Sequence, residues 1–174
     1  MTLTDEVLRS TADKLIAAHR HASLSNDWTF FVDEIYAADC IYTCEYAGVM
    51  QVIAEGIEEI KATHYGRDML VGWEGWTFPY KGVYTGSDNN LITHWMNRGP
   101  GRREDGSYYE TPGVSFISLN SEARICRQFD MFDLAHQMRL CDDLEDAGLL
   151  SPQLKEQWVL PMKARLEEQL ALHR

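Results

Sequence analysis

Residues 127–137 read RQFDMFDLAHQ. Phe129, Met131 and Phe132 have β character, and Leu134 and Met138 begin a helical spacing. Between the two habits stand Asp130 and Asp133, followed by His136. The stretch is therefore a strand running into a helix. Alternation puts Asp130 on the face of Gln128 and Phe132, opposite Phe129 and Met131. If Phe129 and Met131 pack beneath helices, Asp130 points away from the core; with the reverse parity, Asp130 is buried beside Phe132. Asp133, at the strand end and just before Leu134, reads as the cap of the following helix, accepting from free N–H groups near His136.

Three more β-rich runs precede this strand: WTFPYKGVYTG (76–86), NNLITHWMNRG (89–99) and YYETPGVSFISLN (108–120). Gly-Ser-Asp-Asn, Gly-Pro-Gly and Asn-Ser separate them, which are turn signals. Four sequential strands joined in this way form an antiparallel meander. Upstream, Val7, Leu8, Thr11, Leu15 and Ala18 recur at helical spacing behind a Thr2 cap with Asp5 three residues on. Asn26 or Asp27 caps a second, short helix carrying Trp28, Phe31 and Ile35, and AADCIYTCEY (37–46) is a single strand. From Gly56 the spacing is helical again, with Ile57, Ile60, His64 and Arg67 or Asp68 on one face. The fold class is α+β: helices gathered on one face of a curling antiparallel sheet that encloses a cone. Beyond it, Leu134, Met138 and Cys141 or Leu144 form a stripe up to Gly148. A last helix starts at Ser151-Pro152, carries Leu154 and Trp158, and is expected to kink or break at Pro161.

The chain has 174 residues, the length of one domain with a single core. With 45 % hydrophobic and 25 % charged residues it has the composition of a soluble globular protein. A formal net charge of −11 argues against tracking a phosphate backbone, so no nucleic-acid partner is expected. The N-terminus has no basic-then-apolar leader and no segment reads as a membrane span, so a cytoplasmic location is expected. Cys40, Cys44, Cys126 and Cys141 lack zinc-like pair spacing, since four residues of strand span roughly 13 Å. They read as buried free thiols.

Helix, helix, strand, helix and meander is an order similar to that of the NTF2-like superfamily, which includes ketosteroid isomerases, SnoaL-type cyclases, scytalone dehydratase and limonene epoxide hydrolase. The resemblance covers roughly residues 3 to 135. Its most specific piece is the final strand, aspartate, two apolar residues and aspartate, which resembles the SnoaL-like and epoxide-hydrolase pattern. YAADCIYTCEY (36–46) and the hairpin RGPGRREDG (98–106) add to it. The resemblance implies an NTF2-like domain over 1–135 with a helical extension over 136–174. It also implies that Asp130 faces the cone and acts on a water or a substrate proton. Cys44 stands where the isomerase base would fall, with Glu45 adjoining it. Thr93 to Trp95 hold neither the arginine nor the second aspartate of the hydrolase.

The candidate catalytic residues are thus Asp130, His94, Tyr42 and Tyr46. A carboxyl group desolvated in an apolar cone has a raised pKa suited to acid–base work. His94 is the titratable group of ITHWMNR, and scytalone dehydratase-like sites pair such a histidine with a carboxylate; the opposite parity puts Thr93, Trp95 and Asn97 inside instead. Tyr42, Cys44 and Tyr46 share one strand face, where two phenols can donate to a developing negative charge. Trp73, Trp76, Phe78, Tyr80 and Tyr84 crowd the next strand, so Trp73, Phe78, Tyr80 and Trp95 are candidate walls of an aromatic cavity. His64 is either a core histidine or part of that lining. Lys81, if buried, activates an enolate or phenol, although an exposed strand lysine is commoner. Arg98 closes its strand near a loop whose acids cancel most of its charge. No glycine fingerprint, P-loop or His-Glu-x-x-His occurs, and neither a cofactor nor a metal is expected. The expected function is a cofactor-independent lyase, dehydratase or isomerase acting on a hydrophobic, aromatic or polycyclic small molecule. Its alternative is a non-catalytic ligand-binding or assembly module of the same fold. The tail helices are expected to form a homodimer interface or a lid over the cone mouth.

Overall fold

A computed structural model describes residues 2–69 and 71–172, with the side chains of Arg67 and Asp68 outside the description. Helix α1 (Asp5–Ser25) starts at Thr4, whose hydroxyl accepts from the Val7 N–H at 3.3 Å. Thr4 therefore replaces the expected Thr2 as cap, and Asp5 and Glu6 fall in the first turn, at the positive end of the helix dipole. Leu8, Thr11, Leu15, Ala18, His19 and Ala22 are buried along one stripe, from which Val7 is excluded. Asn26 ends α1 in the left-handed region, and Asp27 caps α2 (Trp28–Ile35) through the Phe30 N–H at 3.0 Å.

Strand β1 (Tyr36–Tyr46) is paired with a second strand, β2 (Met50–Glu55), where a single strand was expected. Ala47 and Gly48, both at positive φ, form the tight turn, and the Val49 N–H closes onto the Tyr46 carbonyl at 2.9 Å. MQVIAE escapes a sequence reading because it is a short, half-exposed edge strand with one fully buried residue, Ala54. Helix α3 (Ile57–Ala62) follows and passes into a π-helical turn, His64–Asp68. The meander is as expected: β3 (Tyr80–Thr85), β4 (Asn90–Arg98), β5 (Glu110–Leu119) and β6 (Ile125–Phe132). Among the described residues the sheet has six strands in the order β2-β1-β6-β5-β4-β3. It is mixed rather than purely antiparallel, because β1 and β6 run parallel.

Helices α1 to α3 lie on the inner face of the curved sheet. Leu15, Phe31, Val32, Ile60, Leu91, Ile117 and Ile125 form the closed end of the cone there. Asp133 caps α4 (Leu134–Asp146) through the His136 N–H at 2.9 Å, as its position before Leu134 implies. Past Gly148 the chain enters α5 (Pro152–Leu154), a second π turn, Lys155–Val159, and α6 (Leu160–Leu172). Pro161 does not end this helix. The π turn directly before it shifts the ladder, with the Leu160 N–H reaching the Lys155 carbonyl, and Pro161 falls in the first turn of α6, where a proline is tolerated.

Along β4 and β5, Trp95 sits opposite Gly113, and its indole lies flat over the glycine. Any Cβ at residue 113 would fall inside the indole. Gly113→Ala should therefore destabilise the protein by about 1–3 kcal/mol, the range for overpacking, measured by urea unfolding. An unchanged midpoint would show that Trp95 moves aside without cost.

Candidate functional site

The open end of the cone holds a cavity of about 470 Å³. Strand parity decides what lines it. On β6, Gln128 and Asp130 are buried while Arg127 and Met131 are exposed, so the inner row is Gln128, Asp130, Phe132. In register beside Asp130 lie Cys44 of β1 and Ser115 of β5, and beside Ser115 lies Thr93 of β4. Asp130 is therefore buried with Phe132, the second of the two parities open from the sequence.

Asp130 is 7 % exposed. The Tyr42 hydroxyl donates to its Oδ2 at 3.0 Å and the Gln128 amide donates to its Oδ1 at 2.8 Å. The Ser115 hydroxyl is a third partner, and its own oxygen accepts from the Trp95 indole N–H at 2.9 Å. Burial lifts the Asp130 carboxyl from 3.8 to about 6, and these three donors hold it from rising further. The Tyr36 hydroxyl donates to Gln128 Oε1 at 2.6 Å and lies 3.0 Å from the Tyr65 hydroxyl, which fixes the amide with its nitrogen toward Asp130.

His64 Nε2 lies 2.8 Å from the Tyr42 oxygen, with the two rings stacked 4.4 Å apart. Burial pushes the imidazole down to about 4, so it is neutral. A phenol has one proton to give, and when Asp130 is ionised Tyr42 gives it to the carboxylate. His64 then carries its proton on Nε2 and donates to Tyr42, which orders the chain His64, Tyr42, Asp130. The π turn explains why both His64 and the neighbouring Tyr65 reach the cavity, since its wider coil breaks the 3.6-residue period.

Asp130, Tyr42 and His64 thus converge, and Tyr46, Trp73, Phe78, Tyr80 and Trp95 line the same cavity. His94 does not join them. It faces outward opposite Val114 and Gly82, because Thr93, Trp95 and Asn97 take the inner positions of β4. The expected His94–Asp130 pair does not exist, and His64 occupies the place expected of it. Lys81 also faces away from the cavity; it is partly exposed and paired with Glu110 at 3.4 Å. Arg98 shares the outward parity of His94, bonds Glu110 at 2.7 Å and stacks on Tyr108 at 3.6 Å. Neither borders the cavity. Gln128, Ser115 and Tyr65 were not singled out in the sequence, although Gln128, two residues before Asp130, shares its face by simple alternation.

The tail supplies the roof. Leu154, Gln157 and Trp158 line the cavity, and Trp158 packs edge-on to Trp73 at 5.5 Å. Gly72, at positive φ, touches the Leu154 backbone so closely that a Cβ would clash. This segment of the tail thus borders the cavity. The four cysteines are free thiols, with Cys126 only partly buried. No group of three or more His, Cys, Asp or Glu side chains able to hold a metal occurs among the described residues. Among those residues no helix is long and apolar enough to cross a membrane.

No family model and no curated protein sequence matches the chain. Solved structures do. A SnoaL-like putative isomerase from Agrobacterium tumefaciens str. C58 is 22 % identical, with a TM-score of 0.52, covering 74 % of this chain and 98 % of its own. An NTF2-like protein from Burkholderia thailandensis E264 is 17 % identical, with a TM-score of 0.55, covering 74 % and 95 %. An LEH-like epoxide hydrolase from M. tuberculosis is 18 % identical, with a TM-score of 0.51, covering 75 % and 89 %. At such identities the likeness establishes the fold, the NTF2-like cone, and nothing finer.

The raised carboxyl has a consequence for stability. Its folded value lies above its unfolded one, so the fold favours protonated Asp130. The associated stability is full below about pH 4 and is lost as pH rises through about 6. Measured against Asp130→Asn, which does not titrate, the unfolding free energy of the wild type should fall by about 2 kcal/mol between pH 4 and pH 7. Urea unfolding of both proteins at the two pH values checks this; a constant difference would contradict it.

Proposed function

We propose that this chain, an NTF2-like cone, is a cofactor-independent enzyme that moves protons on a hydrophobic, aromatic or polycyclic small molecule, as a lyase, dehydratase or isomerase. The observation that carries this reading is one desolvated carboxylate at the bottom of an aromatic-walled cavity, with three donors already fixed on it. A carboxylate offers about four lone-pair positions. Three are taken by Tyr42, Gln128 and Ser115, which leaves one for a substrate proton and holds the group in a single orientation. Near neutral pH Asp130 is mostly ionised yet basic enough to accept a proton from an activated C–H or O–H group and return it. The neutral His64 keeps the Tyr42 proton directed at the carboxylate, and the aromatic walls with Trp158 exclude water.

A protein that only binds its ligand needs the shape of this cavity but not the basicity of Asp130, so the two readings separate on exchange chemistry. In D₂O the protein should catalyse deuterium exchange at the acidic C–H positions of a small aromatic ketone such as 2-tetralone, followed by NMR. The rate should rise with pH through about 6 as Asp130 ionises. Asp130→Asn should lower it by roughly 10²–10⁴-fold, the usual worth of a general base, with the ketone still bound. Equal exchange by the two proteins would sink the catalytic reading in favour of the binding module.

The partner in solution, on the same reading, is a second copy of the chain. Across the convex face of the sheet the strand register aligns Tyr84, Ile92, Phe116, Phe129, Thr43 and Ile53, with Met131 in the next row. Tyr84, Ile92, Phe116, Ile53 and Met131 are exposed. A largely apolar band, interrupted by Thr43, suits an isologous contact between two copies. Phe116→Lys, at the centre of the band, should halve the mass found by sedimentation equilibrium while leaving the circular dichroism unchanged. A mass unaffected by the charge would place the contact elsewhere.

A further inference from the structure

Nearly every polar atom around Asp130 is satisfied by another side chain, whereas one part of the cavity wall, on α1 and β3, is different. His19, on α1, is 8 % exposed and lines the cavity, yet neither ring nitrogen has a hydrogen-bond partner among the described residues. Its surroundings are rings: it stacks on Tyr80 at a centroid distance of 4.0 Å and meets Trp28 and Phe31 edge-on at 5.2 and 5.6 Å. The hydroxyl of Tyr80, which lines the same cavity, also has no hydrogen-bond partner among the described residues. Burial holds the imidazole neutral, so it presents one donor and one acceptor. Buried polar groups are normally bonded, and a stacked pair left open toward a cavity has its partner in whatever fills the cavity.

Tyr80 belongs to edge strand β3, three strand positions from the β6 strand that carries Asp130. At 4.8 Å per strand the two backbones are roughly 14 Å apart on a flat sheet, and the curl of the cone and the reach of the side chains bring the Tyr80 hydroxyl within electrostatic range of Asp130. Tyr80, Trp95, Gly113 and Phe132 form one cross-strand row, next to the row of Asp130, so the Trp95 indole stands between the two polar loci.

We propose that the His19–Tyr80 pair is a second anchoring site, reading a hydroxyl or carbonyl oxygen on the end of the ligand remote from Asp130. The ligand class this defines is an elongated, uncharged aromatic compound oxygenated at both ends. The proposal rests on the cavity being the substrate site, and it adds which substrates are accepted. A site that binds an oxygen function discriminates against the analogue lacking it, because its own buried groups are then left unpaired.

The test compares 4,4′-dihydroxybiphenyl with 4-hydroxybiphenyl, which differ by one terminal hydroxyl, in calorimetric titrations of the full-length protein. The wild type should bind the diol about tenfold more tightly. His19→Phe, which keeps the stack on Tyr80, and Tyr80→Phe, which removes one hydroxyl, should each reduce that preference while leaving the affinity for 4-hydroxybiphenyl unchanged. No preference for the diol in the wild type, or a preference that survives both substitutions, overturns the proposal. Because binding is read without turnover, failure here leaves the deuterium-exchange result intact. Loss of that exchange activity would equally leave a His19-dependent diol preference standing.

Discussion

Burying an ionised carboxylate costs several kcal/mol unless donors surround it, and Asp130 is surrounded by three that come from three different strands. Tyr42 is on β1, Ser115 on β5 and Gln128 beside Asp130 on β6. Each donor is itself held: Tyr42 by His64, Ser115 by the Trp95 indole, Gln128 by Tyr36. The network spans the central strands of the sheet and the segment after α3, so the parallel pairing of β1 with β6 and the π turn at His64–Asp68 are both needed to assemble it. What remains after these donors act is a carboxyl still lifted to about 6, the residual cost of burial being kept as basicity.

The same arrangement accounts for the shape of the rest of the cavity. A base of this strength is useful only where water is kept away from it, and the walls are accordingly aromatic. Trp73, Phe78, Trp95 and Phe132 stand above the polar floor, and Trp158 of the tail reaches down to Trp73. Both π-helical turns lie at the cavity, one bringing His64 and Tyr65, the other Gln157 and Trp158. A π turn costs hydrogen-bond geometry, and its presence at a cavity rather than in the packed end of the cone fits a local distortion that aims side chains.

Much of this fold was legible in the chain. The turn signals around residues 86–89 and 120–121, the caps at Asp27 and Asp133, and the helical stripes of Leu15 and Phe31 are local features whose physics does not depend on distant contacts. Their order resembles that of the NTF2-like superfamily, and that resemblance carried the expectation of a cone. Strand parity was not legible. In ITHWMNR both faces carry β-formers, and only the packing of Trp95 over Gly113 decides that His94 turns outward. Lys81 takes the exposed position that is commoner for a strand lysine, and Arg98 follows the outward parity of His94. β2 was missed because an edge strand needs little apolar sequence. The partnership of His64 with Tyr42 was hidden because a π turn leaves no regular period to read. By contrast, position alone marked Asp133, directly before a helix, as its cap, while the interior place of Asp130 came from the resemblance to the superfamily and not from alternation, which left both parities open.

The account rests on Asp130 being desolvated and basic while held by Tyr42, Gln128 and Ser115. A ¹³C NMR titration of the aspartate side-chain carboxyl carbons, with the Asp130 resonance identified by its absence in Asp130→Asn, measures this directly. A midpoint near 6 is the predicted result. A midpoint at or below the ordinary 3.8 would mean that the donors outweigh burial, and a base of that strength would not support the proton transfer proposed for this cavity.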